Sequence, residues 1–224
     1  MLTLSIVNAI SDAIKSRRLL PGSKLNEREL AQLFGVSRTI VRQALSHLAQ
    51  DELVSIAPKR AATVAQPSFD DAYNLYQTLL IIDCGVVDHL IEHITPAQLD
   101  ILEAHTRREE ATFQQGRHEE SDELGREYHR LLIGFLNNEA LSQIHAKLER
   151  KAALITSLYK VDFDYCQLRH EHVGLIDALR NKQGDRVKAM LGSHYKLVIR
   201  GYRFDVASTP QVDLATALQI GVTA

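Results

Sequence analysis

Apolar residues in the first third of the chain recur at helical spacing in three short runs. Ile6, Ile10, Ala13 and Ile14 mark a first helix, closed off by the turn Pro21-Gly22. Leu30, Leu33 and Phe34 share one face of a second, with Asn26 as its N-cap and Glu29 three residues on. Val41, Ala44, Leu45 and Leu48 stand at i, i+3, i+4 and i+7 of a third. Between the last two lies Gly35-Val36-Ser37. Gly35 can take positive φ and end the second helix, and Ser37 can cap the third through its hydroxyl. The pattern then shortens. Residues 53–56 and 62–65 read as two strands, joined by a hairpin tip, Pro58-Lys59-Arg60-Ala61. Three helices and a two-stranded hairpin predict a winged helix-turn-helix.

From Phe69 the period is helical almost to the end. After a short linker, Gln66-Pro67-Ser68, helices are expected over 69–94, 97–114, 118–136, 140–159, 163–179 and 186–201, with Thr95 and Asp185 as caps. No strand signal comes after the hairpin, and the tail from Val206 is weakly patterned. The expected fold is therefore mainly α: an N-terminal winged helix-turn-helix followed by an all-helical bundle of the six-helix type. The expected domains are 1–66, 67–205 and a C-terminal tail, 206–224.

Charge sharpens the division. Residues 1–65 hold nine Lys and Arg against five Asp and Glu, so the acidic excess of the chain lies in the remainder. A basic head on an acidic body suits nucleic-acid binding by the head. Arg38, Thr39 and Arg42 fall near the N-terminus of the third helix and off its apolar face, where a recognition helix places its DNA contacts. Lys59 and Arg60 put two cations at the hairpin tip. No run of ~18 apolar residues predicts a membrane span, and the first residues lack the order of a signal peptide. The two cysteines, Cys84 and Cys166, stand in no metal or redox spacing, which points to a reducing cytoplasm.

The segment PGSKLNERELAQLFGVSRTIVRQALSHLAQDELVSIAPKRAATV resembles the DNA-binding domain of GntR-family bacterial transcription regulators. The likeness covers about residues 4–65, with PG, LNEREL, GVSR and VR.AL standing in order. It implies that Arg28, Ser37, Arg38, Thr39, Arg42, Lys59 and Arg60 are DNA-contact positions. Two positions depart from the family pattern. Ile40 replaces a common proline, and Ala61 stands at the usual wing glycine, a cost of about 1 kcal/mol if that position needs φ > 0.

In the body, three histidines sit on or beside apolar helical stripes: His129, His172 and His194. Three imidazoles from three helices can converge on a divalent cation, or each can be an ordinary core histidine bonded to a neighbour. Here YHRLL....NN..L, EHVGLIDAL.NKQGD and the final His194 make residues 70–200 resemble the FCD domain of the FadR branch of GntR regulators. That resemblance implies a metal, zinc as the leading candidate, held by the three histidines and an aspartate four residues before the first. It also implies an effector site at Asp83, Tyr128, His129, His172 and His194. The aspartate position is Gly125, which offers no ligand, and the family's effector-binding arginine position is Leu79. Three arrangements stay open: a metal completed by water or effector, a weakly held metal, and a metal-free pocket whose histidines bond the effector directly.

The expectation is a cytoplasmic, homodimeric transcription regulator, a repressor in the family's usual mode. Its binding to a double-stranded DNA operator would answer to a small-molecule effector in the helical body, a metal-assisted carboxylate being the class the family suggests. The rivals are an architectural DNA-binding protein with a degenerate pocket and a helical metal-dependent enzyme. Against the enzyme, the sequence suggests no paired carboxylates near the histidines, no nucleophile with a base and no phosphate-cradling loop.

Overall fold

The computed structural model describes residues 2–57, 60–161, 165–204 and 213–220, and of 165–170 the backbone only. The elements run α1 (Leu2–Lys15), β1 (Lys24–Leu25), α2 (Glu27–Phe34), α3 (Arg38–Gln50), β2 (Val54–Ser55) and β3 (Ala62–Val64). The helices α4 (Phe69–His93), α5 (Pro96–Gln114), α6 (His118–Gly134), α7 (Glu139–Tyr159), α8 (Tyr165–Arg180), α9 (Gly184–Arg200) and the short α10 (Leu214–Ala217) come next. The fold is mainly α, with the winged helix-turn-helix ahead of the helices, as the periodicity predicts. Among the described residues no helix is long and apolar enough to cross a membrane.

The chain divides into two compact units. One comprises residues 1–69, 150–160 and 203–224; the other comprises 70–149 and 161–202.

In the first unit the apolar stripes meet as their spacing demands. Ile6, Ile10 and Ile14 of α1 are buried together with Val41, Leu45 and Leu48 of α3, and α1 packs on α3. The turn between α2 and α3 is built by local chemistry. The side chain of Asn26 accepts from the amides of Arg28 and Glu29, and Gly35 ends α2 at φ 62°. Ser37 Oγ accepts from the Ile40 amide at 3.4 Å. A proline at position 40 could not make that bond, so Ile40 strengthens the cap.

The sheet has three strands rather than the two expected. β3 lies between β1 and β2, antiparallel to both, with Leu25 opposite Ala62 and Val54 opposite Val64. β1 is two residues long, too short to show an alternation in sequence. It is placed by the Gly22 turn, whose amide donates to the Val64 carbonyl at 3.1 Å. Ala61 is not among the residues with positive φ, so the wing turns without the glycine the family favours. Pro58 and Lys59, half of the expected tip, lie outside the described residues.

The end of α7 is bonded into this unit. Arg17, at φ 56°, donates through Nε to the Ser157 carbonyl at 2.8 Å and through Nη2 to the Lys160 carbonyl. Those carbonyls lie at the C-terminus of α7, where unpaired acceptors gather. Glu52 pairs with Lys151 at 3.1 Å, and Arg18 Nη1 donates to the Ala217 carbonyl of α10 at 2.9 Å.

The second unit is helical throughout its described residues. Its core joins Val86, Val87 and Leu90 of α4, Leu99 and Leu102 of α5, Tyr128, Leu132 and Ile133 of α6, Leu175, Ile176 and Leu179 of α8, and Val187 and Leu191 of α9. Thr95 caps α5 in a full capping box with Gln98. Asp185 does not cap α9. The helix starts at Gly184, and Asp185 lies in its first turn, where a negative charge faces the positive end of the helix dipole.

Gly35→Ala should destabilise the protein by roughly 1 kcal/mol, because a Cβ at φ 62° is strained even with open space around it. Chemical denaturation checks this, and an unchanged midpoint would mean that the α2–α3 turn relaxes to negative φ.

Candidate functional site

Two surfaces carry chemistry, one in each unit. In the head, Arg28, Ser37, Arg38, Thr39, Arg42 and Arg60 are all exposed. Ser37, Arg38, Thr39 and Arg42 cluster at the cap and first turns of α3, and Arg28 belongs to α2. Glu27 is paired with Arg42, whose Nε donates to both carboxylate oxygens at 2.9 and 2.8 Å. Arg38 Nη2 stands 4.0 Å from the same carboxylate. An exposed cationic face at the start of the second helix of a helix-turn-helix is a surface for phosphates and base edges.

In the helical unit, His129 on α6, His172 on α8 and His194 on α9 are each at least nine-tenths buried. They come together. One ring nitrogen of each lies within 4.8 Å of the other two. Tyr128 stacks on His172 with centroids 4.3 Å apart, and Asp83 of α4 reaches His129. All five residues expected to form the effector site therefore meet in one unit.

The geometry also brings in residues that no sequence pattern marks. Each imidazole is anchored through Nδ1 by its own carboxylate. His129 donates to Asp83 Oδ2 at 2.9 Å, His172 to Glu109 Oε2 at 3.0 Å and His194 to Glu171 Oε2 at 2.9 Å. An ionised carboxylate only accepts, so Nδ1 carries the hydrogen in each ring. The lone pair of each neutral ring is then on Nε2. His172 Nε2 is buried and has no hydrogen-bond partner. Three oriented imidazoles with free Nε2 atoms, backed by carboxylates, form a donor set suited to a divalent cation. The acids come from α4, α5 and α8, one behind each ring. Glu171 adjoins His172 in sequence, but Glu109 lies 63 residues from its partner, and no local pattern could pair them.

Asp83 is the hub of a further network. Tyr195 donates to its Oδ2 at 2.6 Å, and His145 Nε2, buried and unpartnered, stands 3.9 Å from Oδ1. His145 Nδ1 is 3.9 Å from Glu149 Oε1, and Glu149 accepts from Arg130 at 3.0 Å. Burial pushes the Asp83 carboxyl up, but the charge and hydrogen bond of His129, the Tyr195 bond and the His145 charge together hold it below the usual range. For His129, burial disfavours the charge, yet the Asp83 charge and hydrogen bond outweigh it and raise the pKa. Burial, reinforced by the His129 charge, pushes His172 down to about 3. Burial takes His194 down to about 4 against the bond from Glu171. Two of the three rings are therefore neutral and ready as ligands at neutral pH. Leu79, at the position of the family's arginine, is a core residue only 3% exposed. No lysine or arginine is buried among the described residues.

A recognition surface of this kind on a winged helix defines a DNA-binding regulator. Comparison with known proteins carries this to the family. The bacterial regulatory proteins of the gntR family match over residues 2–64, and the FCD domain matches over residues 74–197. The chain belongs to the gntR family of transcription regulators, with an FCD domain, and is not an enzyme. Its relatives include the HTH-type transcriptional repressor RspR of Escherichia coli, 25% identical over 83% of this chain and 82% of its own. The HTH-type transcriptional repressor NanR of Edwardsiella tarda is 24% identical over 86% of this chain and 82% of its own. Among solved structures, E. coli McbR/YncC shares the fold with a TM-score of 0.65 at 21% identity, covering 89% of this chain and 96% of that one.

Glu109→Gln should lower zinc affinity about 10- to 100-fold while the protein stays folded, and His172→Ala should abolish tight binding. Competition with a chromogenic chelator reads both, and unchanged affinities would remove these residues from a metal site. Because the His129 pKa is raised, protons compete for its Nε2 at higher pH than at an ordinary histidine. Zinc affinity should accordingly begin to fall above the usual pKa of about 6.5 as the solution is acidified.

Proposed function

We propose that the protein is a cytoplasmic repressor whose hold on a DNA operator is set by a small anionic molecule in the FCD domain. The carrying observation is the trio of buried imidazoles, each fixed at Nδ1 by a carboxylate. Such an arrangement is expensive to bury without a ligand to use the free nitrogens. His129, His172 and His194 would hold a divalent ion, zinc best fitting nitrogen donors. When bound, the ion supplies positive charge and open coordination positions. Among the described residues no arginine or lysine is buried, so a carboxylate effector would be held by the ion rather than by a buried cation. Tyr128, Tyr195 and His145 supply the remaining polar contacts. Small chelating acids are the effector class this favours.

Operator recognition is assigned to Arg28, Ser37, Arg38, Thr39 and Arg42, with Lys59 and Arg60 at the wing. One winged helix makes too small an interface for tight specific binding, which favours a homodimer on a two-fold symmetric site with recognition helices in successive major grooves. The repressor reading is supported by the relatives' names. For the coupling, α7 is the natural element. Its first half carries His145 and Glu149, and its last carbonyls are gripped by Arg17. An effector regulates only if it binds one arrangement of the heads better than another.

Arg38→Ala should weaken binding to a selected operator duplex by about 10-fold or more, as loss of a base-edge contact does. Fluorescence anisotropy measures it. Wild-type affinity in this variant would take α3 out of the interface. Release of that duplex by a chelating acid in the presence of zinc, and its absence in His172→Ala, is the companion result expected.

A further inference from the structure

Among the cations proposed to face DNA, two share one anion, and that pairing has a specific shape. Glu27 is the first residue of α2, half-buried, while the Arg38 and Arg42 side chains on α3 are about 60% exposed. Arg42 meets Glu27 side-on. Its Nε donates to both carboxylate oxygens at 2.9 and 2.8 Å. A guanidinium has five N–H groups in a rigid planar fork. A partner that engages Nε leaves the terminal Nη edge for a second acceptor, such as a phosphate or the O6/N7 edge of guanine. Arg38 is at the outer limit of an ion pair with the same carboxylate, through one Nη nitrogen 4.0 Å away.

This pair is poorly explained as a stabiliser. Exposed ion pairs add little to stability and are screened by salt. The head core does not need it, because α2 and α3 are already joined by their apolar faces and the Gly35 turn. On a surface that binds a polyanion, a carboxylate is also a cost. It repels phosphate and removes one unit from the charge that drives sequence-independent binding. A cost of that kind is worth bearing where it sharpens discrimination.

We propose that Glu27 is a specificity-determining positioning residue of the recognition helix. It holds Arg42 in the orientation that presents its Nη edge to the DNA, and it restrains Arg38 beside it. The chemistry has two consequences. The rotamer entropy of Arg42 is lost before DNA arrives, which favours the one register in which its edge meets its acceptor. Meanwhile the carboxylate weakens binding to every duplex by like-charge repulsion. Specific binding gains, non-specific binding loses, and their ratio rises. Glu27 stays ionised at neutral pH, since the Arg42 hydrogen bond lowers its pKa.

The inference rests on the DNA-binding reading and is tested by an experiment that separates the two. The wild-type full-length protein is first used to enrich duplexes from a random-sequence pool. Affinities for the best enriched duplex and for a scrambled version are then measured over a range of KCl for wild type, Glu27→Gln, Glu27→Asp, Arg42→Ala and the double variant Glu27→Gln/Arg42→Ala. Glu27→Gln should bind the scrambled duplex more tightly and the enriched duplex more weakly, lowering discrimination on the order of tenfold. Glu27→Asp keeps the charge but shortens the reach, and it should lose discrimination without the gain in non-specific binding. In the Arg42→Ala background, Glu27→Gln should lose most of its effect on discrimination, because the main residue it positions is gone. Equal tightening on both duplexes in Glu27→Gln would make Glu27 a mere negative charge and overturn the proposal. Wild-type discrimination in Glu27→Asp would overturn it as well. A wild-type protein that enriches no sequence overturns the DNA-binding reading, and the proposal with it.

Discussion

The bond from an imidazole Nδ1–H to a carboxylate, made three times, is the interaction on which the helical unit depends. An imidazole or a carboxylate buried alone would be costly, and breaking a buried pair by removing one partner typically costs ~3–5 kcal/mol. Paired, each bond ties two helices: α4 to α6 through Asp83 and His129, α5 to α8 through Glu109 and His172, and α8 to α9 through Glu171 and His194. The same bonds fix which nitrogen carries the hydrogen, and one ring nitrogen of each imidazole lies within 4.8 Å of the other two. Gly125 offers no side-chain ligand at the position where the family resemblance implies an aspartate. The negative charge of this centre therefore resides on the carboxylates behind the rings, and more positions on an ion would be left to an incoming ligand. A carboxylate behind each imidazole raises its basicity as a ligand, which offsets part of that loss.

The head obeys a different constraint. Its polar groups are exposed, so individual pairs add little stability, and the fold is set by short apolar stripes and by caps. Asn26 sets where α2 starts, Gly35 where it stops and Ser37 where α3 starts, and hence which residues of α3 project outward. The grip of Arg17 and Arg18 on the backbone of α7 and α10 adds residues distant in sequence to this unit.

Much of this is legible in the sequence because it is written in local pattern. Helical period, the Gly35 and Ser37 caps and the Thr95 capping box each involve residues within a few positions of one another. The wing is legible only in part. β1, two residues long, has no period to read and owes its place to hydrogen bonds with β3. Asp185 has the side chain of a cap, but the helix begins one residue earlier and uses the acid in its first turn. The convergence of His129, His172 and His194 is expected from a family likeness, not from spacing. Glu109 cannot be found from sequence at all. Its partner lies in a helix three elements later, and one acid among many on a polar-looking helix carries no mark of burial. Likewise Glu27 reads as an ordinary helix-start acid until Arg42 is seen against it.

The most direct test of the three-histidine centre is zinc K-edge X-ray absorption on the full-length protein loaded with one equivalent of zinc, with Glu109→Gln as a comparison. Three imidazole nitrogens at about 2.0–2.1 Å with oxygen completing the shell is the predicted result. A shell containing sulfur, or fewer than three imidazoles, would contradict it and would place the ion elsewhere.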